Sequence, residues 1–292
     1  MTPDESVNIQ WYPGHMTKTR RQIEADLKLV DAVCEIVDAR IPISSRNPDI
    51  DSICARKPRI ILLNRMDLAD PAATDRWSSY FRSKGMAVVA TDCKSRRGIN
   101  SVVPAVKSLL KEKVERAAAK GMMKSLRVMV VGIPNVGKST LINQISGRKG
   151  AKAENRPGVT RGKQWVNVEG GLLLLDTPGI LWPKFDDPQV GLMLAYTGAV
   201  KENVLDMEDL ASRLMALLWE RYPEALKNRY GIEDPEDTTG YGLLTEAGRK
   251  RGFLMARGEI NTERMAKVLL DEYRSCKLGR FTLESPEMLE EA

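Results

Sequence analysis

Four runs of apolar, largely β-branched residues stand out along the chain, at 31–37, 59–63, 127–131 and 172–175, and each stops at a polar or glycine-containing loop. The runs are continuous rather than alternating, which predicts strands buried on both faces, as in parallel sheets. Helix-period patterns lie between them, including 18–29 and a stretch at 102–119 with apolar positions at Val106, Leu109, Leu110 and Val114. Strands alternating with helices predict an α/β fold with a doubly wound, mostly parallel sheet. Past about residue 201 the strand signal stops, and 207–220 and 261–274 carry helix-spaced apolar residues such as Leu210, Leu214, Leu217 and Leu218. The expected organisation is therefore an α/β domain over 1–200 and a smaller all-helical domain over 201–292.

The loop that follows the run at 127–131 reads Gly132-Ile-Pro-Asn-Val-Gly-Lys-Ser-Thr140 and leads into a helical pattern at 141–145. Strand, glycine-rich loop and helix in that order are the setting of a P-loop, whose backbone N–H groups turn toward phosphate oxygens at a helix N-terminus. Asn135, Val136, Gly137, Lys138, Ser139 and Thr140 are the expected nucleotide contacts. Lys138 should reach the β/γ oxygens and take part in catalysis, and the Ser139 hydroxyl should ligate Mg2+. A second strand edge, Asp176-Thr-Pro-Gly179, would set the Asp176 carboxylate near the magnesium, directly or through water, and the Gly179 N–H near the γ-phosphate. Between the two lies Arg156-Pro-Gly-Val-Thr160, where Thr160 is a candidate switch and metal ligand, able to close over Mg2+ only when the γ-phosphate is present.

Asn64-Arg-Met-Asp67, at the end of the run 59–63, has the spacing of the N-K-x-D guanine-reading motif. A carboxylate at Asp67 can accept from both N1–H and the exocyclic amine of guanine, a donor pair that adenine lacks. Arg65 replaces the usual lysine, and its aliphatic stem could still flank the base beside Met66. A surface turn is the alternative for so short a match. Thr91-Asp-Cys-Lys-Ser95 follows the run at 87–90 and occupies the place of the loop whose backbone meets guanine O6, which makes Asp92 and Cys93 the expected contacts.

The motifs run guanine specificity first, then the O6 loop, the P-loop, the switch threonine and Asp176-Thr-Pro-Gly179. This order resembles the circularly permuted GTPases, in which one sheet is re-cut at a different loop. Within that family the chain is similar to the ribosome-biogenesis GTPases through Trp11-Tyr-Pro-Gly-His-Met16, Val37-Asp-Ala-Arg-Ile-Pro42 and Asp176-Thr-Pro-Gly-Ile-Leu-Trp-Pro183, and again at Gly248-Arg-Lys-Arg-Gly252 and Lys277-Leu-Gly-Arg-Phe281. The resemblance implies a GTP- and GDP-binding assembly factor for a late step of large ribosomal subunit maturation. It also implies a GTPase stimulated by the particle and C-terminal helices that help bind ribosomal RNA.

Ile180 stands where small GTPases commonly carry a water-orienting glutamine, and it cannot hydrogen-bond a water. The resemblance assigns that role to His15, the one histidine of the chain, with a surface or packing histidine as the alternative. It likewise makes Asn135 a candidate for placing K+ near the phosphates, against the plainer reading that it fits the turn. A P-loop ATPase is the competing enzyme class, and Asn64–Asp67 speak against it.

Composition changes this picture in two ways. With 292 residues, 42% hydrophobic and 29% charged, no membrane-length apolar run, scattered cysteines and no targeting pattern at the N-terminus, the chain is expected to be a soluble, cytoplasmic protein, monomeric by default and without membrane association. The net charge of +6 divides unevenly, with 31 Lys/Arg against 20 Asp/Glu over 1–200 and 14 against 19 over 201–292. A basic nucleotide-binding half suits a polyanionic partner such as RNA, and the candidate surfaces are the basic stretch 107–127 and the cluster Arg249, Lys250, Arg251 and Arg257.

Overall fold

The computed structural model describes residues 16–122, 125–147, 164–177, 187–200, 206–256 and 258–289. His15, Thr160, Gly179 and Arg257 lie outside them. The described residues fall into two compact units, one within Gln10–Phe185 and Phe281–Ala292, the other within Asp186–Arg280. The helical unit thus opens ahead of the expected division at 200, and the end of the chain returns to the unit that carries the sheet.

That sheet has six strands, β1 (Ala32–Asp38), β2 (Arg59–Asn64), β3 (Ala87–Thr91), β4 (Leu126–Val131), β5 (Gln164–Val168) and β6 (Leu172–Asp176), in the order β3-β2-β1-β4-β6-β5. All neighbours are parallel except β5 and β6. β1 is buried at every position, which is why its sequence does not alternate. β5 escapes the apolar-run reading because it is an antiparallel edge strand, exposed at Gln164, Trp165 and Asn167.

One face carries α1 (Met16–Leu27), α2 (Asp49–Ile53) and α3 (Pro71–Ser83). Ile23 and Leu27 meet Val33, Met129, Val131 and Leu175, while Trp77 and Phe81 meet Val37, Ile61 and Leu63. From β3 the chain must cross back to β4, and a right-handed crossover in that direction carries α4 (Val102–Leu109) to the other face. The expected single helix at 102–119 is two, since α4 ends at Leu109 and α5 (Lys111–Ala118) starts anew after Leu110. α6 (Lys138–Ser146) packs beside β5 and β6.

In the other unit, α8 (Met207–Arg221) buries Leu210, Leu214 and Leu218 and packs against α10 (Gly240–Lys250) and α11 (Thr262–Arg274), with α7 (Pro188–Tyr196) and α9 (Pro223–Tyr230) around it. No helix among the described residues is long and apolar enough to cross a membrane.

Candidate nucleotide site

The strand order reverses between β1 and β4, and a parallel sheet opens a crevice at the carboxyl ends of its strands where this happens. Every described candidate residue except α6's own sits at such an end. Asp38, Asn64 and Thr91 are register partners at the last rungs of β1, β2 and β3, and Asp176 pairs with Val130 one rung before the P-loop.

The P-loop is shaped by two close backbone approaches. Gly132 adopts φ 155°, and a Cβ there would lie 2.7 Å from the Ile36 carbonyl oxygen. Gly137 has φ 110°, and a Cβ would come 2.4 Å from Asn64 Nδ2. Neither position admits a side chain without displacing its neighbour. Asn135, exposed and with φ 60°, supplies a left-handed turn residue of the kind asparagine tolerates. After Gly137 the chain enters α6, with Leu141 N–H donating to the Gly137 carbonyl at 2.9 Å. Helices leave their first N–H groups without intrahelical partners, which gives this end its affinity for anions.

Asn64 joins three loops. Its amide nitrogen donates to the Val136 carbonyl at 2.7 Å, and its oxygen accepts from the Thr91 hydroxyl at 3.3 Å and the Cys93 N–H at 3.2 Å. Met66 N–H donates to the Thr91 carbonyl at 3.1 Å, so the 64–67 turn and the 91–95 loop are also tied backbone to backbone. Arg65, itself left-handed at φ 62°, reaches over to the P-loop and donates to the Asn135 carbonyl at 2.7 Å. Its Nε lies 3.6 Å from Asp38 Oδ2. The guanidinium therefore spans the gap between β1 and the P-loop, and its stem lines the space between them.

Around the place where a base would enter, two carboxylates differ in condition. Partial burial, then the nearby Asp92 charge, push the Asp67 carboxyl above the usual aspartate range. Asp92 is held below its ordinary value against the effect of burial, because its carboxylate accepts from Ser95 and Lys94, whose N–H groups lie 3.2 and 2.8 Å from Oδ1. Asp92 N–H donates to the Arg97 carbonyl at 2.9 Å, which closes the loop. Asp92 thus shapes its own turn, while Asp67 is the carboxylate whose charge gains from incoming N–H donors.

Lys138 is buried, and its ammonium donates to the Gly132 and Ile133 carbonyls at 2.9 Å each. Burial lowers its pKa to about 8, opposed by the attraction of Asp176. Next to Asp176, the Thr177 hydroxyl donates to the Val130 carbonyl at 2.6 Å and pins the end of β6 to β4. Thr177 and the buried pair of Asp38 and Arg40 fall inside Asp176-Thr-Pro-Gly179 and Val37-Asp-Ala-Arg-Ile-Pro42, but neither motif gives them a role; in the pair, Arg40 donates to both carboxylate oxygens at 2.9 and 2.7 Å. Burial works against the Asp38 charge, but the Arg40 guanidinium, with Arg65 beyond it, holds its carboxyl below the usual range. The signal for that pair in the sequence is the charged Asp38-Ala-Arg40 at the end of the buried run of β1.

The structure therefore brings Asn64, Arg65, Met66, Asp67, Asp92 and Cys93 together with Asn135, Val136 and Gly137, and sets Lys138, Ser139 and Thr140 at the start of α6, where Lys138 feels the charge of Asp176. The basic cluster of the helical unit is less free than its sequence implies. Arg251 donates to the buried Glu272 at 2.9 Å, and Arg249 pairs with Glu246.

The family described as "50S ribosome-binding GTPase" matches residues 127–226, a match that begins on β4 and leaves 64–67 and 91–95 outside it, as a permuted motif order requires. The chain is 49% identical to the ribosome biogenesis GTPase A of Priestia megaterium over 288 residues, covering 98% of this chain and 99% of that one. It is 34% identical to the protein of the same name from Thermotoga maritima, across 96% of this chain and 95% of that one. Among solved structures it is similar to GNP-bound YlqF from T. maritima, with 31% identity, a TM-score of 0.61 and coverage of 92% of this chain and 99% of that one.

Proposed function

This chain belongs to the ribosome biogenesis GTPase A family and is a GTP-binding, GTP-hydrolysing protein of ribosome biogenesis, and from that premise we propose that it acts as a switch at a late step of large ribosomal subunit maturation, in the cytoplasm and as a monomer. In this reading the GTP-bound form docks on the precursor particle and its ribosomal RNA, the particle stimulates hydrolysis, and GDP formation releases the factor. The observation that carries the nucleotide half of the reading is Asn64, which holds the 64–67 turn and the 91–95 loop onto the P-loop although the chain enters the P-loop last.

Guanine would be read by Asp67, accepting from N1–H and the exocyclic amine. The guanine O6 would compete with the Asn64 oxygen for the Cys93 N–H. Arg65, already lying across to Asn135, would flank the base with its stem. Phosphates entering the P-loop give the Lys138 ammonium counter-charge in place of neutral carbonyls, which returns its pKa toward the ordinary lysine range. The donors here fit magnesium: a Ser139 hydroxyl and the Asp176 carboxylate are hard oxygens, and no group of three or more His, Cys, Asp or Glu among the described residues could hold a metal alone. Bound there, Mg2+ would draw its remaining ligands from phosphate, water and Thr160 and neutralise charge that develops on the γ-phosphate. His15 orients the attacking water in this scheme, and Asn135 helps place a potassium ion. Ribosomal RNA would be met by the exposed lysines of α5 and by the C-terminal helices.

Hydrolysis of GTP measured with and without purified large subunits, with ATP as competitor, tests the reading. Strong stimulation confined to GTP is expected. Unstimulated turnover, or preference for ATP, would leave only a nucleotide binder. His15→Ala should abolish the stimulated rate, and potassium should accelerate turnover where sodium does not.

A further inference from the structure

We propose that residues 281–284 form a positioning strap for the guanine-reading loops, so that the segment following the helical unit is a working part of the nucleotide site. The proposal rests on the reading of Asn64–Asp67 as the guanine loop.

The four residues are Phe281, Thr282, Leu283 and Glu284, each at most 6% exposed. They bind the loops that end β1 and β2. Phe281 N–H donates to the Leu68 carbonyl at 3.2 Å, directly beside Asp67. The Thr282 hydroxyl accepts from Asp70 N–H at 3.2 Å and donates to the Ala39 carbonyl at 3.1 Å, so one side chain spans both loops. Leu283 N–H donates to the Arg40 carbonyl at 2.7 Å. The Glu284 carboxylate accepts from the Ile43 and Ser44 N–H groups and from the Ser44 hydroxyl, while its backbone carbonyl accepts from Trp77 Nε1 at 2.9 Å.

Two relays run from these contacts to the site. Through Leu68 and Asp70 the strap fixes the turn that carries Asp67. Through Arg40 and Ser44 it fixes the loop that closes on Asp38, whose N–H donates to Ser45 Oγ at 2.9 Å. Asp38 is in turn the carboxylate facing Arg65, and Arg65 grips the P-loop at Asn135. Simple core filling would need only Phe281 and Leu283. Burying a carboxylate is costly unless its donors are in place, and here all three donors to the side chain come from one loop. The polar half of the strap is thus devoted to where that loop sits.

The test compares GDP, IDP and ADP binding by calorimetry for the full chain and for Thr282→Val, Thr282→Ser and Glu284→Gln. IDP lacks the exocyclic amine that Asp67 would accept, so the ratio of IDP to GDP dissociation constants reports Asp67 alignment. Loss of folded protein alone would lower the active fraction and leave that ratio unchanged. Thr282→Val should weaken GDP about tenfold and narrow the ratio, as expected for the loss of aligned hydrogen bonds. Thr282→Ser should restore both, and Glu284→Gln should fall between, serving as the decisive variant if Thr282→Val does not fold. Unchanged ratios in folded strap variants would overturn the strap. A wild-type chain that binds ADP as tightly as GDP would overturn the guanine reading on which it rests.

Discussion

At the scale of single residues, the site contains groups that work against the stability of the nucleotide-free fold. Lys138 has its pKa lowered from 10.5 to about 8, chiefly by burial. The folded protein therefore binds fewer protons than the unfolded chain between those values, and Lys138's contribution to stability is present only above them and is lost as pH falls through about 8. At neutral pH it is a liability kept for its ligand. Lys138→Met should raise the thermal midpoint of the nucleotide-free protein at pH 7 and weaken GTP binding by ~10-fold or more, the worth of a charge-assisted contact to phosphate. A parallel melt and nucleotide titration checks both signs together.

Glu284 behaves in the opposite sense along the pH axis. Burial, offset in part by the Ser44 and Ile43 donors and reinforced by Asp38, raises its pKa from 4.5 to about 7. The folded state holds the extra proton between those values, so Glu284's contribution is fully present below 4.5 and is lost as pH rises through about 7. Glu284→Gln, which cannot ionise, should flatten the fall in denaturant midpoint between about pH 5 and about pH 7.5, an interval wide enough to resolve one titration. The buried charge that acts on it is Asp38.

At the scale of elements, the central strands were legible because burial on both faces writes a continuous apolar run, as at 31–37 and 59–63. β5 was not, since its edge position leaves Trp165 and Gln164 at the surface. The break between α4 and α5 was hidden for another reason: Leu109, Leu110 and Val114 keep helical spacing across a joint that backbone geometry, not composition, makes. In the site, the glycines and Asn64–Asp67 could be read because their chemistry is local in sequence. The bonds from Thr282 and Glu284 span more than two hundred residues, and no local pattern marks them. Asp70 shows how such bonds overlap with local ones. Its carboxylate caps α3 by accepting from Ala73 N–H at 3.1 Å, while its own N–H donates to Thr282. Asp70→Ala should cost about 1 kcal/mol in chemical denaturation, the usual value of an N-cap, with the Thr282 hydrogen bond kept because it uses the backbone.

At the scale of the whole molecule, the question is which basic groups can meet RNA. Charge favours the first 200 residues, at a formal +11, over the remainder at −5. The pairing of individual residues sharpens this. Arg251 is drawn to Glu272, a buried carboxylate that also accepts from Arg229 and Tyr230, so it is part of how α9, α10 and α11 hold together. Removing one partner of a buried charge leaves the other exposed to its desolvation cost. By contrast Lys111 and Lys120 are exposed on and just after α5, and the Lys111 pairing with Glu115, at 3.8 Å, is a surface interaction of the kind that contributes little. Arg251→Ala should therefore destabilise the helical unit while leaving affinity for large ribosomal subunits nearly unchanged. Lys111→Glu with Lys120→Glu should spare stability, weaken particle binding, and reduce the slope of log affinity against log salt by about 1 for each phosphate that is no longer neutralised. Binding measured across a salt series for the two variants separates these roles. An Arg251→Ala protein that remains as stable as the parent but binds the particle more weakly would make Arg251 itself an RNA contact rather than a structural ion-pair partner.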